Sequence, residues 1–123
     1  MADKSSYWRD AVINVLNGTG ISGVTPYVSL HTSDPGLTGS NEVSGGSYAR
    51  QSASFSSASS GATATTGTLT YTSMPAVTVT HVGIWDAVSG GNFLYGDALA
   101  ASQIVNAGGT FEFPTGNITV SEA

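Results

Sequence analysis

The sequence predicts a mainly β protein, a single-domain β-sandwich or small barrel of about seven short antiparallel strands with one N-terminal amphipathic α-helix. Its 123 residues suffice for one hydrophobic core and are too few for two, so we expect one domain over residues 1–123. Only 9% of the residues are charged, against roughly 25% in an ordinary soluble domain. Polarity comes instead from 18 Ser, 15 Thr and 16 Gly, which suit strands and tight turns.

The helix is predicted over residues 5–17. Ser5 and Ser6 can cap its start, and Gly18 can end it. The apolar residues recur at the i, i+3, i+4, i+7, i+8 spacing of one helix face, and they are Trp8, Ala11, Val12, Val15 and Leu16. A helix of this length is marginal alone, so this face must pack on its own sheet or on a neighbouring subunit.

The β-sandwich is predicted over residues 26–121. Residues 27–32 alternate as a first strand, and residues 77–86 form the strongest one. In that strongest strand, Val79 and Trp85 are predicted on one face, with Val82 and Ile84 on the other. Residues 98–105 are ambiguous between a strand and a short helix. The other predicted strands are 48–55, 63–72, 93–95, 110–113 and the pair Ile118 and Val120.

Charge and cysteine content exclude several classes of function. The formal net charge is −5, with Lys4, Arg9 and Arg50 as the three basic residues. Nucleic-acid binding and docking on an anionic membrane both need a basic surface, so we expect neither partner. The chain has no cysteine, which excludes disulfides and thiolate metal sites.

No group of residues predicts catalysis, a metal site or a cofactor. His31 and His81 have no metal-ligand spacing. Arg50 is more informative, because it follows a glycine-rich loop that contains Glu42 and begins near Asp34. One guanidinium can grip a carboxylate with two hydrogen bonds. We therefore predict that Arg50 fixes the loop through Glu42 or Asp34; a solvated strand arginine is the alternative.

Three segments carry a resemblance to a known family. The first is LHTSDPG at residues 30–36 followed by NEVSGGSYARQ at 41–51, the second is HVGIWDA at 81–87 with GGNFLYG at 90–96, and the third is VNAGGT at 105–110 before FPTG at 113–116. Together they resemble short structural proteins of tailed-bacteriophage virions, whose members are often labelled tail-fibre or minor tail proteins. The resemblance implies location in the virion, a structural role and no catalytic residues.

Within that class, the sequence favours a capsid decoration protein that stabilises the coat lattice. A fibre shaft gains length from repeats or heptads, and this chain has neither. A tail-associated subunit is the alternative, and a carbohydrate-binding module is a more distant one. We expect synthesis in the host cytoplasm, association with other copies of the chain, and binding to a phage coat or tail protein. The predicted interface residues are Trp8, Val12, Val15, Leu16, Leu37 and Val43.

Overall fold

The computed structural model describes residues 3–14, 16, 18 and 24–121. Its elements, in chain order, are β1 (Asp3–Lys4), α1 (Ser6–Asn14), β2 (Tyr27–His31), β3 (Gln51–Ser52), β4 (Ala62–Ala64), β5 (Leu69–Met74), β6 (Val77–Trp85), β7 (Phe93–Val105), β8 (Gly109–Phe113) and β9 (Thr119–Ser121). The predicted fold class is confirmed: the protein is mainly β, and its described residues include one short helix.

The described strands form three antiparallel sheets. The largest has the order β1-β7-β6-β2-β3, and the pairs β4-β9 and β5-β8 form two smaller sheets. The described strands do not close into a barrel, which leaves the sandwich of the two predicted architectures. The core draws its side chains from the large sheet and from both small ones, and Tyr71 is the largest fully buried side chain among the described residues.

The helix begins one residue after its predicted start. It runs from Ser6 to Asn14, and the Ser5 hydroxyl accepts the Trp8 N–H at 3.0 Å, which is the hydrogen bond of an N-cap. Trp8 packs edge-on against Tyr95 of β7, with ring centroids 6.3 Å apart. The predicted last turn cannot be compared, because Val15 and Asn17 lie outside the described residues.

Two predicted strands are wrong in their bounds. The strand expected over 48–55 contains only β3, because the β2 edge at Leu30 is occupied by the Val43 N–H and the Tyr48 hydroxyl and offers no further ladder bonds. The strand expected over 63–72 is divided between β4 and β5, which join different sheets. Residues 98–105 are extended and continue β7 without a break.

The predicted faces of β6 are also wrong. Val79 is fully buried in the same core as Val82 and Ile84. The reason is an irregularity at Thr80: Val79 pairs with Gln103 and His81 with Ala98, so two steps along β6 match five along β7. The alternation of side chains along β6 therefore shifts at Thr80, so Val79 faces the core and His81 does not. Opposite this point, β7 carries a bulge of three extra residues.

Candidate functional site: an arginine clamp on the 34–46 loop

The 34–46 loop folds back beside β2. The Asp34 carboxylate accepts the Gly36 N–H at 2.8 Å, a turn made within the loop itself. At its far end, the Val43 N–H donates to the Leu30 carbonyl at 2.8 Å. The loop thus returns to the outer edge of β2, and Asp34 serves its first turn.

Arg50 holds the end of this loop through Glu42. Its Nε and Nη2 donate to the two Glu42 carboxylate oxygens, each at 2.9 Å. Its Nη1 donates to the carbonyls of Ala87 and Gly90 at 3.0 and 2.9 Å. The guanidinium carbon also lies 3.7 Å from the centroid of the Trp85 ring, a cation–π distance. Arg50 therefore joins the loop, the 86–92 hairpin turn and β6. Of the two carboxylates that the sequence offered, Glu42 is the one that Arg50 contacts.

Two tyrosines hydrogen-bond to backbone groups on the outer edge of β2, at the end of its pairing with β3 and beyond it. Tyr48 donates its hydroxyl proton to Glu42 at 2.7 Å and accepts the Leu30 N–H at 3.0 Å. Tyr71 donates to the Val28 carbonyl at 2.7 Å, and the two tyrosine rings stack with centroids 6.1 Å apart. The Leu30 N–H and the Val28 carbonyl, two backbone groups of β2, are thereby paired, as buried backbone groups must be.

A second chain of hydrogen bonds holds the middle of the loop. The Trp85 indole N–H donates to the Ser29 hydroxyl at 2.9 Å, and that hydroxyl lies 2.7 Å from His31 Nε2. His31 Nδ1 lies 2.8 Å from the Ser40 carbonyl oxygen. Because a carbonyl only accepts, Nδ1 carries the proton and Nε2 accepts from Ser29. The neutral ring thus ties the loop to β2 and β6.

Gly83 makes room for this second chain. A methyl group on its Cα would lie 2.6 Å from the Ser29 hydroxyl oxygen and 2.7 Å from His31 Nε2. Those distances are shorter than van der Waals contact, so any larger residue would displace the histidine or the serine.

The clamp shifts the pKa values of its acidic and basic groups. Burial alone would raise the pKa of Glu42, but hydrogen bonds from Arg50 and Tyr48 outweigh it and hold that pKa below its usual value. Burial, with a smaller effect of Glu42, raises the pKa of Tyr48 far above its ordinary range. Burial lowers the pKa of His31. At neutral pH the loop is therefore held by an ionised Glu42, a neutral Tyr48 and a neutral His31.

The predicted interface residues separate into exposed and buried groups. Leu16 is 88% exposed, Leu37 47% and Val12 36%, so all three can meet a neighbour. Trp8 packs inside the chain on Tyr95, and Val15 lies outside the described residues. The prediction for Val43 is wrong: it lies in the core at 4% exposure, because its backbone pairs with the inner strand β2.

Sequence reasoning missed several members of the site. Tyr48 and Arg50 are two residues apart, a spacing that puts both on one side of an extended chain, and this signal could have linked them. Ser29 and His31 share the same spacing on β2. Nothing local in the sequence marks the carbonyls of Ala87 and Gly90 as partners of Arg50, since they lie 37 and 40 residues away.

Neither a metal cluster nor a membrane-spanning helix is found among the described residues. Across residues 3–14, 16, 18 and 24–121, no three His, Cys, Asp or Glu side chains converge as a metal site would require. Within the same residues, no helix is long and apolar enough to cross a membrane.

The chain is similar to a known protein family. Residues 3–121 match the family described as podophage GP4 fiber I protein gp80. Among the curated proteins, no sequence matches this chain.

We predict that Arg50→Lys lowers the free energy of unfolding by about 1–3 kcal/mol, because lysine keeps the charge and loses the two-pronged contact with Glu42. Arg50→Ala should cost about 3–5 kcal/mol, since it leaves the half-buried Glu42 carboxylate unpaired. Urea unfolding measures both. Arg9→Lys is the matched control on an exposed helix position and should change stability by less than about 0.5 kcal/mol. Unchanged stability in both Arg50 variants would contradict the clamp.

We also predict two steps of acid destabilisation. The pKa of His31 is lower in the folded chain than in the unfolded one, so its contribution is complete above about pH 6.5 and is lost as the pH falls below that value. The lowered pKa of Glu42 gives a second loss below about pH 4.5. Unfolding free energies measured from pH 8 to pH 3 should show both steps in the wild type and only the lower step in His31→Gln. The same upper step in both proteins would refute the role of His31.

Proposed function

The chain belongs to the podophage GP4 fiber I protein gp80 family, and we propose that it is a non-enzymatic structural subunit of a phage tail fibre. The match of residues 3–121 to a fibre protein family carries this proposal. It favours the alternative of the sequence analysis, a tail-associated subunit, over capsid decoration, which was the first expectation. Phage virion structure is the broader role that both readings share.

The architecture supports a structural role. The polar side chains around Arg50 form hydrogen bonds with one another and with backbone carbonyls. They therefore hold the loop rather than bind a substrate. A virion protein must keep its shape outside the cell, and a polar network whose hydrogen bonds are all made suits that demand because it holds the loop in one arrangement. The Arg50 and Glu42 side chains are 8% and 21% exposed.

We further propose that the subunit contacts its neighbours through the apolar residues that the fold leaves exposed. Val12 and Leu16 remain from the predicted interface, and Ile13 beside them is 62% exposed. Leu37 lies on the clamped loop and is a second contact point. Few charged residues need to be desolvated on such a surface, which lowers the cost of a broad contact.

Immunogold labelling of purified virions tests the location. Antibodies against the recombinant chain should mark the tail, and the label should stay with the tails when these are separated from capsids. Labelling spread over the capsid, with a copy number that follows that of the coat protein, would refute the fibre proposal and restore capsid decoration.

A further inference from the structure

A groove of mixed polar and apolar lining lies between the bulge of β7 and the turn from β8 to β9. It consists of two adjoining hollows of about 230 and 350 Å³ that share Leu99, Ala100, Phe113 and Asn117. Its lining includes the core side chains Ile84, Phe111 and Ile118. Covering these apolar side chains with another apolar side chain lowers the free energy, because water is displaced from them.

The rim of the groove is acidic. Glu112 is exposed at the larger hollow, where its carboxylate accepts a hydrogen bond from Thr70 at 3.3 Å. No lysine or arginine is present among the residues that line either hollow. Ile104 stands beside the same hollow at 80% exposure. A complementary partner would therefore bring apolar side chains together with a positive charge.

Helix α1 presents that combination. Arg9 and Ile13 are exposed and four residues apart in α1, a spacing that places both on one side of the helix. Leu16, beyond the end of α1, is 88% exposed. Within the described part of the chain, the Arg9 side chain makes no hydrogen bond or ion pair. Trp8 holds the helix against Tyr95 of β7, so this outer side is left for a partner.

We propose that the groove of one copy receives the Arg9 and Ile13 side of α1 from a second copy, together with Leu16 beyond the helix, and that Arg9 pairs with Glu112. Charge decides the choice of partner: of the three basic residues in a chain of net charge −5, Arg50 is engaged in the clamp, and Arg9 is the one that stands beside exposed apolar residues on a helix. Docking of one side of a helix into a groove is a common mode of recognition. This inference deepens the proposed function and rests on it, because a fibre subunit must contact others of its own kind.

Sedimentation velocity over a range of concentrations tests the contact with a charge exchange. Arg9→Glu and Glu112→Arg should each weaken self-association about tenfold or more, since each puts like charges together. The double variant Arg9→Glu/Glu112→Arg should recover most of the wild-type association. Ile13→Ser with Leu16→Ser should weaken it by about a hundredfold, through loss of apolar burial. Val88→Ser is the matched control, at 54% exposure on the hairpin turn, and should associate as the wild type does.

Circular dichroism and thermal unfolding of every variant verify that the fold is retained. A wild type that stays monomeric at every concentration overturns the proposal, as does a double variant no better than the two single ones. Neither result bears on the location of the chain in the virion, so the fibre proposal would stand if gold still marked the tail. If the double variant recovers association but gold marks the capsid, the contact between copies is supported and the tail-fibre proposal is refuted.

Discussion

The Arg50–Glu42 pair is the interaction on which the described arrangement of loops depends. Glu42 lies near the end of the 34–46 loop, and Arg50 binds its carboxylate. Arg50 also donates to the carbonyls of Ala87 and Gly90 and lies on the ring of Trp85. The 34–46 loop and the 86–92 hairpin turn, two irregular segments, are thereby attached to β6 and to each other. A pair at this low exposure stabilises only if its remaining hydrogen bonds are made, and Tyr48 and the two carbonyls make them.

One face of the large sheet is covered by this polar layer, and the other by the apolar core. Such a division lets a short chain use both faces of one sheet, which an apolar core alone could not do at this size. It also accounts for the small residues on the polar face, since Gly83 and Ser29 leave the space in which His31 lies. The cost is sensitivity to acid, because an ionised glutamate and a neutral histidine are both required.

The sequence predicted β2 and β6 almost to the residue, because alternation of β-branched and polar residues in them is strong. It could not predict the face change at Thr80, since a bulge depends on how many residues the partner strand contains. The choice between Glu42 and Asp34 stayed open for a similar reason: both flank one loop, and only the fold shows that Asp34 caps its own turn. Val43 was misplaced because a lone valine in a glycine-rich loop gives no period from which to read burial.

Amide hydrogen exchange in Glu42→Gln tests most directly whether this pair holds the loop. The relevant amides are those of Thr32 and Val43, which donate to Asn41 and Leu30 across the loop ends. With the charge removed, their protection should fall about tenfold or more, while the Gly108 amide, bonded to Met74 in another sheet, should keep its protection against local opening. Unchanged protection at Thr32 and Val43 would contradict the account, because the loop would then be held without the ion pair.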